Sequence, residues 1–200
     1  MESQPALICI PDISGFTEFM SSTDINLSAE VISALLNKVI YANEIGLKVS
    51  EIEGDAVLFY RPGKLPPFKD LVDQCRRFYT GFYDQLYELH KKHAKNGEGD
   101  HIPKMLGLKI ILHYGRQISA VPIGKNIKLM GEDVILAHRL LKNEIPEDEY
   151  ILLSGNVLEQ YKQETIQRNF GWGELHDYKT EYEHIGEVNF SYINLRPLLE

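Results

Sequence analysis

The sequence predicts an α+β fold in which an antiparallel sheet carries helices on one face. Apolar segments with strand spacing alternate with long segments of helical spacing, in the order βαββα and then ββαβ. Glycine-bearing turns join neighbouring strands directly, which is typical of antiparallel pairing. The 200 residues show no internal repeat and no break in composition. We therefore expect one domain over 1–200, with a core at about 6–160 and a C-terminal edge extension at 161–200.

The first half of the chain alternates clearly between the two periodicities. After Ser28, apolar side chains recur every three or four residues, which predicts a helix with Ser28 as its N-cap. Gly54-Asp55 lies between two strand-like segments and predicts a hairpin turn. The predicted elements of this half are a strand at 6–12, the helix ending before Gly46, and hairpin strands at 47–53 and 56–60.

The second half opens with a long amphipathic helix at 68–93, whose aromatic residues we interpret as helix core rather than as a stacking surface. A glycine-containing loop at 95–100 follows it. The next apolar segments predict a second hairpin that turns near Gly115. The remaining predicted elements are hairpin strands at 105–114 and 117–123, a helix at 134–141, a strand at 149–153, a short helix at 156–161, and one or two edge strands within 182–195.

Composition argues against two classes of partner. A net charge of −8, from 21 basic and 29 acidic residues, provides no positive field for nucleic acid or for a membrane surface. No segment reaches the roughly 18 apolar residues that a membrane span needs, and residues 1–5 lack the pattern of a signal peptide. Cys9 and Cys75 lie in apolar stretches without a CxxC partner, so we expect buried, reduced thiols and a cytoplasmic location.

Two aspartates stand where hydrophobic strands meet glycine-bearing bends. Asp12 precedes residues 13–17 (ISGFT), and Asp55 follows residues 51–54 (EIEG). Strand ends hold such carboxylates rigidly but leave them partly open, and carboxylates on neighbouring strands can share hard cations. A turn that leads into a helix adds free backbone N–H groups, which suit a metal-bound polyphosphate. The alternative interpretation is a strand-end cap and an ordinary turn residue.

Three stretches together resemble the class III nucleotidyl cyclase homology domain. Asp12 to Thr17 is similar to the first metal motif of that family, and Glu51 to Ala56 is similar to the second. Leu108 to Gly115, followed by a helix segment from Gly131 to Leu140, resembles the family's strand, glycine and arginine-bearing helix. The likeness covers roughly residues 6–160. The chain resembles even more closely a set of small, stand-alone bacterial proteins of the superfamily whose function is uncharacterised.

The resemblance implies a ferredoxin-like sheet and a head-to-tail homodimer with active sites at the interface. It implies a nucleoside triphosphate substrate, converted to a 3′,5′-cyclic nucleotide and pyrophosphate by a phosphorus–oxygen lyase. The partner's Arg139 would be catalytic by stabilising charge at phosphorus, and two Mg²⁺ or Mn²⁺ ions would be the cofactors. The implied metal ligands are Asp12, Asp55 and the Ile13 carbonyl, and the implied phosphate contacts are the amides of Ser14, Gly15, Phe16 and Thr17.

Two departures from the family pattern bear on activity. Active cyclases carry an asparagine four residues before the arginine, whereas this chain has Ile135, which cannot orient a ribose. Loss of one orienting contact can cost roughly a hundredfold in rate. The base-reading positions are Glu51 and Lys128, reversed relative to adenylyl cyclases. A carboxylate accepts from a ring N–H and an ammonium donates to a ring carbonyl, so this pair favours GTP or UTP over ATP.

The residues leave several interpretations open. Glu51 and Lys128 could pair with each other and close the base pocket, and Arg139 could bond to carboxylates of its own chain. The rival to an enzyme is a catalytically degenerate homologue that binds nucleotide and metal or serves in dimerisation. A purely structural interaction domain is a third candidate. His90 and His93 share a helix face without a third ligand, so the histidines do not predict a zinc site, and we interpret His113 as a core or interface residue.

Overall fold

The structure, a computed structural model, describes residues 3–96, 102 and 106–200, and these residues form one mixed sheet with helices on both faces. The strands are β1 (Gln4–Ser14), β2 (Lys48–Glu53), β3 (Ala56–Pro62), β4 (Gly107–Ile123), β5 (Asn126–Met130), β6 (Tyr150–Ser154), β7 (His176–Tyr182) and β8 (Gly186–Asn194). The α-helices are α1 (Phe16–Ser22), α2 (Ile25–Tyr41), α3 (Phe68–His93), α4 (Glu132–Leu140), α5 (Gly155–Leu158) and α6 (Gln163–Asn169). Within these ranges, no helix combines the length and the hydrophobicity needed to span a bilayer.

The sheet has the strand order β2-β3-β1-β4-β6-β8-β7, and β5 pairs with β4 outside this row. The pairs are antiparallel except β4 with β6, which is parallel. This arrangement confirms the predicted α+β fold with an antiparallel-dominated sheet. Because β1 lies between β3 and β4, its end stands beside both the β2–β3 hairpin turn and the start of β4.

Side chains of β1 alternate between two cores on opposite faces of the sheet. Leu7 and Cys9 pack in the larger core, together with residues of α2, α3, α5 and α6. The long helices therefore share one face, as the sequence predicts. Ile8 and Ile10 belong to the second core, where Ala137 and its neighbours on α4 cover part of the other face. The sequence predicts helices on one face only; the short helix α4 lies on the other face, which carries the candidate site, so the predicted layering needs this correction.

The predicted turn of the second hairpin is wrong. β4 runs unbroken from Gly107 to Ile123, and the chain reverses at Gly124-Lys125, where Gly124 has a φ of +61°. Gly115 instead permits close packing, because a Cβ atom there would lie 2.5 Å from the Cβ atom of Asp133 on α4. Residue 105 and residues 97–100 of the predicted loop lie outside the described residues.

Two predicted element ends also need correction. α2 begins earlier than predicted, and its N-cap is Asp24, whose carboxylate accepts from the N–H groups of Asn26 and Leu27. Ser28 lies inside the helix, where its hydroxyl donates to the Asp24 carbonyl at 2.8 Å. β8 lies between β6 and β7 rather than at the edge, so β7 is the edge strand on this side of the sheet. Helix α6 has no counterpart in the prediction.

A buried histidine fixes α4 to β4. Nδ1 of His113 lies 2.9 Å from Oγ of Ser154, and Nε2 lies 3.0 Å from Oδ1 of Asp133, near the start of α4. Asp133 also accepts from the N–H group of Arg116 at 2.9 Å. Burial alone would raise the pKa of Asp133, but His113 and the backbone N–H donors lower it overall. Since His113 and Ser154 are fully buried, this chain of contacts is a structural link, consistent with a core histidine.

Candidate functional site

The paired aspartates lie side by side at one end of the sheet. Asp12 opposes Ala56, the first residue of β3, and the N–H group of Ile13 donates to the Asp55 carbonyl at 3.0 Å. These backbone contacts bring the carboxyl groups of Asp12 and Asp55 close enough for each to affect the pKa of the other. The structure therefore brings together the two side chains that the sequence selects as metal ligands.

A lysine completes this group. Lys109 opposes Asp12 in the β1–β4 register, and its Nζ atom lies 3.0 Å from Oδ2 of Asp12. The sequence analysis missed Lys109. The signal that could have found it is a lone charged residue within the apolar segment 108–112, on the same alternating face as Ile111 of the second core.

Burial and mutual repulsion govern the electrostatics of this group. Burial raises the pKa of Asp12, Lys109 opposes the increase, and Asp55 adds to it. Burial also raises the pKa of Asp55, and its own backbone N–H group and the charge of Lys109 offset the increase only in part. Burial works to lower the pKa of Lys109, but Asp12 more than compensates, so the ammonium stays charged. Two carboxyl groups thus share one cation, and the group attracts further positive charge.

The donors at this position fit a hard divalent ion. The N–H and carbonyl groups of one residue point to the same side of an antiparallel strand, so the Ile13 carbonyl faces the hairpin that carries Asp55. Two carboxylates and one carbonyl form an all-oxygen donor set, which Mg²⁺ and Mn²⁺ prefer. Because Lys109 occupies one side of Asp12, an ion would approach from the side of Asp55.

The turn between β1 and α1 lies next to the β2–β3 hairpin turn. Gly15 precedes α1 with a φ of +78°, a left-handed conformation that glycine adopts without strain. A Cβ atom at Gly54 of the hairpin would lie 3.9 Å from the Phe16 ring. The Ser14 hydroxyl donates to the Asp148 carbonyl at 2.5 Å, so this side chain is already engaged within the chain. The backbone N–H groups of this turn remain the candidate phosphate contacts, and the Ser14 hydroxyl does not.

A cavity of about 570 Å³ opens between the β2–β5 region and α4. Glu51 and Lys128, the two residues that the sequence predicts to read a base, both line it. The Nζ atom of Lys128 lies 3.2 Å from Oε2 of Glu51, so the pairing considered from the sequence is present in the single chain. Ile135 of α4 forms part of the wall and is 55% exposed. The polar ion pair and the apolar wall face the same space.

Arg139 follows Ile135 by one turn on α4 and is exposed. In the part of the chain that the structure describes, no acidic side chain forms an ion pair with its guanidinium group. Tyr182 is its neighbour: the phenol hydroxyl donates to the Arg139 carbonyl at 3.0 Å. Burial raises the pKa of Tyr182, and the charge of Arg139 offsets part of the increase. The interpretation that Arg139 bonds to carboxylates of its own chain is therefore wrong for the described residues.

Comparison with known proteins identifies the family. A family described as "Protein of unknown function (DUF2652)" matches residues 32–150. The chain belongs to the DUF2652 family. This DUF2652 member is also 32% identical over 166 residues to the Uncharacterized protein Rv2561/Rv2562 of Mycobacterium tuberculosis (strain ATCC 25618 / H37Rv), over 82% of this chain and 73% of that relative.

Solved structures of class III cyclase domains share the fold of this DUF2652 member. The guanylyl cyclase Cya2 superposes with a TM-score of 0.64 at 16% identity, over 96% of this chain and 93% of that one. The guanylate cyclase domain of RhGC from Catenaria anguillulae, in complex with GTP, gives 0.63 at 18% identity, over 97% and 98%. The adenylyl cyclase CyaB from P. aeruginosa gives 0.62 at 17% identity, over 97% of both chains. At these identities the likeness confirms the predicted class III cyclase fold and carries no activity with it.

Two further side chains of this DUF2652 member, neither of them among the predicted site residues, face the same cavity. Glu53 of β2 and His138 of α4 both line it, and Nδ1 of His138 lies 3.9 Å from Oε2 of Glu53. The signal for Glu53 was its position two residues after Glu51, on the same face of one strand. His138 carried no comparable signal, because nothing in the sequence shows which strand α4 overlies.

Proposed function

We propose that this protein is a cyclase-type enzyme that binds a nucleoside triphosphate with two divalent ions, Mg²⁺ or Mn²⁺, and converts it to a 3′,5′-cyclic nucleotide and pyrophosphate. The observation that supports the proposal is the placement of Asp12 and Asp55 side by side at the end of a cyclase-like sheet, where each carboxyl group affects the pKa of the other. Carboxyl groups held together against their mutual repulsion, with pKa values raised by burial, mark functional sites more often than ordinary surface positions.

Each residue of the group has a defined task in this proposal. Asp12, Asp55 and the Ile13 carbonyl would hold the ions, whose charge would lower the pKa of the ribose 3′-hydroxyl and neutralise the pyrophosphate leaving group. Lys109 holds the carboxyl group of Asp12 in a fixed orientation through its 3.0 Å contact and opposes part of the pKa increase that burial causes. The backbone amides of 14–17 bind phosphate oxygens.

A homodimer would supply the remaining catalytic group. Arg139 is exposed and lacks an acidic partner among the described side chains, so its guanidinium group is available to a nucleotide held by a second copy. The cavity next to it presents exposed apolar side chains, with Met130 at 45% and Ile135 at 55%. Such a surface is suited to burial against another chain.

Guanine or uracil is the base that the cavity would favour. Each of these bases presents a ring N–H group beside a carbonyl oxygen, which matches a carboxylate acceptor and an ammonium donor. Glu51 and Lys128 provide these two groups on one wall of the cavity.

A second candidate is a catalytically degenerate homologue that binds nucleotide and metal without turnover. Two observations favour it. Ile135 stands where active cyclases place a ribose-orienting asparagine, and the ion pair between Glu51 and Lys128 must open before a base can use either group. Neither observation affects Asp12 or Asp55, so metal binding is common to both candidates.

One assay separates the candidates. The purified protein is incubated with Mn²⁺ and each of the four common nucleoside triphosphates, and cyclic product is quantified by chromatography. The enzyme predicts product from GTP or UTP in excess of ATP, abolished by Asp55→Ala and retained by Asp84→Ala, which removes an exposed carboxylate on α3. Thermal stabilisation by metal and nucleotide without product supports the degenerate homologue. If the assay gives no product and no stabilisation, both candidates are contradicted, and a structural interaction domain is the remaining interpretation.

A further inference from the structure

Three potential metal ligands converge at the cavity, apart from the paired aspartates. Glu51 and Glu53 lie two residues apart on β2, so both point to one face of the sheet. Their cross-strand partners, Leu58 and Ala56, belong to the second core, which identifies this as the face that α4 covers. His138 of α4 lies opposite them. One ligand atom from each of the two glutamates and the histidine lies within 4.8 Å of the other two.

The charges around these ligands favour a cation. Lys128 contacts Glu51 at 3.2 Å, but 52% of its side chain is exposed, so it can move into solvent at little cost. Within the described residues, Glu53 has its ion-pair contact with His138 alone, at 3.9 Å. Two carboxylates therefore face an imidazole group, and the one ammonium that contacts them among the described side chains is replaceable.

We propose that Glu51, Glu53 and His138 bind a divalent transition-metal ion, with Zn²⁺ as the best match. An imidazole nitrogen beside two carboxylate oxygens suits Zn²⁺ better than Mg²⁺ or Ca²⁺, which prefer all-oxygen donor sets. Neighbouring ligand atoms in a tetrahedral zinc site are roughly 3.3 Å apart, so the present group needs to close by up to about 1.5 Å. The partly exposed glutamate side chains on β2 have the freedom to make this adjustment.

Three protein ligands leave at least one coordination position of the ion open. That position faces a cavity of about 570 Å³ whose wall includes Leu129 and Ile135, so the ion would accept one further oxygen or nitrogen donor from a small molecule or from water. The inference does not depend on the proposed function, because Asp12 and Asp55 take no part in it. Zinc on Glu51 would, however, exclude a nucleotide base from the same carboxylate.

Isothermal titration of Zn²⁺ into the full-length, metal-free protein tests the inference. The titration is carried out without nucleotide in an Asp12→Asn/Asp55→Asn background, which removes the other carboxylate pair. We expect one Zn²⁺ per chain. Glu53→Gln and His138→Gln should each weaken binding at least about tenfold, whereas Lys128→Met should strengthen it about two- to fivefold by removing the competing ammonium.

The matched control is His184→Gln, because His184 is a surface histidine next to a carboxylate, 3.5 Å from Glu183, and 87% exposed. It should leave zinc affinity unchanged. Replacing Zn²⁺ with Co²⁺ should give a visible absorption band that disappears in His138→Gln, and thermal unfolding should show that both ligand variants are folded. Unchanged affinity and stoichiometry in Glu53→Gln and His138→Gln, or an equal loss in His184→Gln, would overturn the inference. Cyclic-nucleotide production by the unmodified protein has no bearing on either outcome.

Discussion

The Nζ atom of Lys109 lies 3.0 Å from Oδ2 of Asp12, although the two residues come from different strands and from distant parts of the chain. The contact supplies one positive charge to a pair of carboxyl groups that carries two negative charges when ionised. Lys109 therefore stabilises the metal-free state of the site, and it competes with any divalent ion that the aspartates bind.

Replacing Lys109 should separate these two effects. Lys109→Met should lower the free energy of unfolding of the metal-free protein by about 1–3 kcal/mol, because it leaves the largely buried Asp12 without its partner. The same variant should bind Mn²⁺ about tenfold more tightly, because a competing charge is gone. Urea unfolding and calorimetric titration measure the two quantities.

The control for this prediction is Lys92→Met, which breaks an exposed ion pair with Glu30 at 2.7 Å. It should cost less than about 1 kcal/mol and should not change Mn²⁺ affinity. If Lys109→Met behaves like Lys92→Met in both measurements, the proposal that Lys109 competes with the metal is contradicted.

Asp55→Asn should stabilise the metal-free protein and abolish its response to metal. The substitution removes one of two repelling carboxylates, so we expect a gain of up to about 1 kcal/mol. Wild type should gain about 2.7 kcal/mol at a Mn²⁺ concentration one hundred times its dissociation constant, and the variant should gain nothing. Thermal unfolding with and without Mn²⁺ measures both effects, with Asp84→Asn as the control. A variant that responds to Mn²⁺ like wild type would contradict the assignment of Asp55.

The raised pKa values of Asp12 and Asp55 predict a specific pH dependence. In the unfolded chain both carboxyl groups ionise near pH 3.9, at about the ordinary value. The folded chain holds their protons more tightly, so their contribution to stability is complete below about pH 3.9 and is lost as the pH rises through the folded pKa values. The advantage of Asp55→Asn over wild type should therefore grow between about pH 4 and pH 7. Urea unfolding in the presence of a chelator measures the difference in stability between the variant and wild type at each pH. A difference that shrinks between about pH 4 and pH 7 would contradict the prediction.

Gly115→Ala should disturb the seating of α4. Its Cβ atom would lie 2.5 Å from the Cβ atom of Asp133 and 2.6 Å from Cδ1 of Ile118. Overpacking of this kind costs about 1–3 kcal/mol. Gly171→Ala is the matched control, because a Cβ atom at Gly171 has no heavy atom within 4 Å, and we expect a change within about 0.5 kcal/mol. Equal unfolding midpoints for the two variants would contradict this account of Gly115.

Ile135→Asn tests the departure from the cyclase pattern. An amide at this exposed position costs little stability and restores a group that can orient a ribose. If the protein is an enzyme, turnover in the cyclase assay should rise, by up to roughly a hundredfold. A matched Ile135→Leu variant should leave turnover unchanged. An equal rate in the two variants would show that the identity of this side chain does not limit the reaction.

The fold class and the long helix α3 could be predicted because each follows from local periodicity. The predicted helix at 68–93 coincides with α3, and the hairpin around Gly54 follows from two short strands and a glycine between them. Asp12 and Asp55 could be paired in advance because both stand at strand ends, and β1 and β3 are neighbours in the fold that the resemblance implied.

The remaining features depend on contacts that local patterns do not encode. Gly115 suggested a turn, yet it is glycine because Asp133 of α4 packs directly against it. In the sequence Lys109 is only a lone charge in an apolar segment; its contact with Asp12 depends on the β1–β4 register, and the place of His138 in the cavity depends on the position of α4. In each case the cause is tertiary packing between segments that are far apart in sequence.

Anomalous diffraction at the manganese absorption edge, from crystals grown with Mn²⁺ and a GTP analogue that cannot cyclise, tests the central claim most directly. The account predicts a manganese peak within roughly 2.5 Å of carboxylate oxygens from both Asp12 and Asp55, with the triphosphate next to it. Two results would contradict this account: a bound nucleotide without manganese at Asp12 and Asp55, or manganese bound only at other residues of the chain.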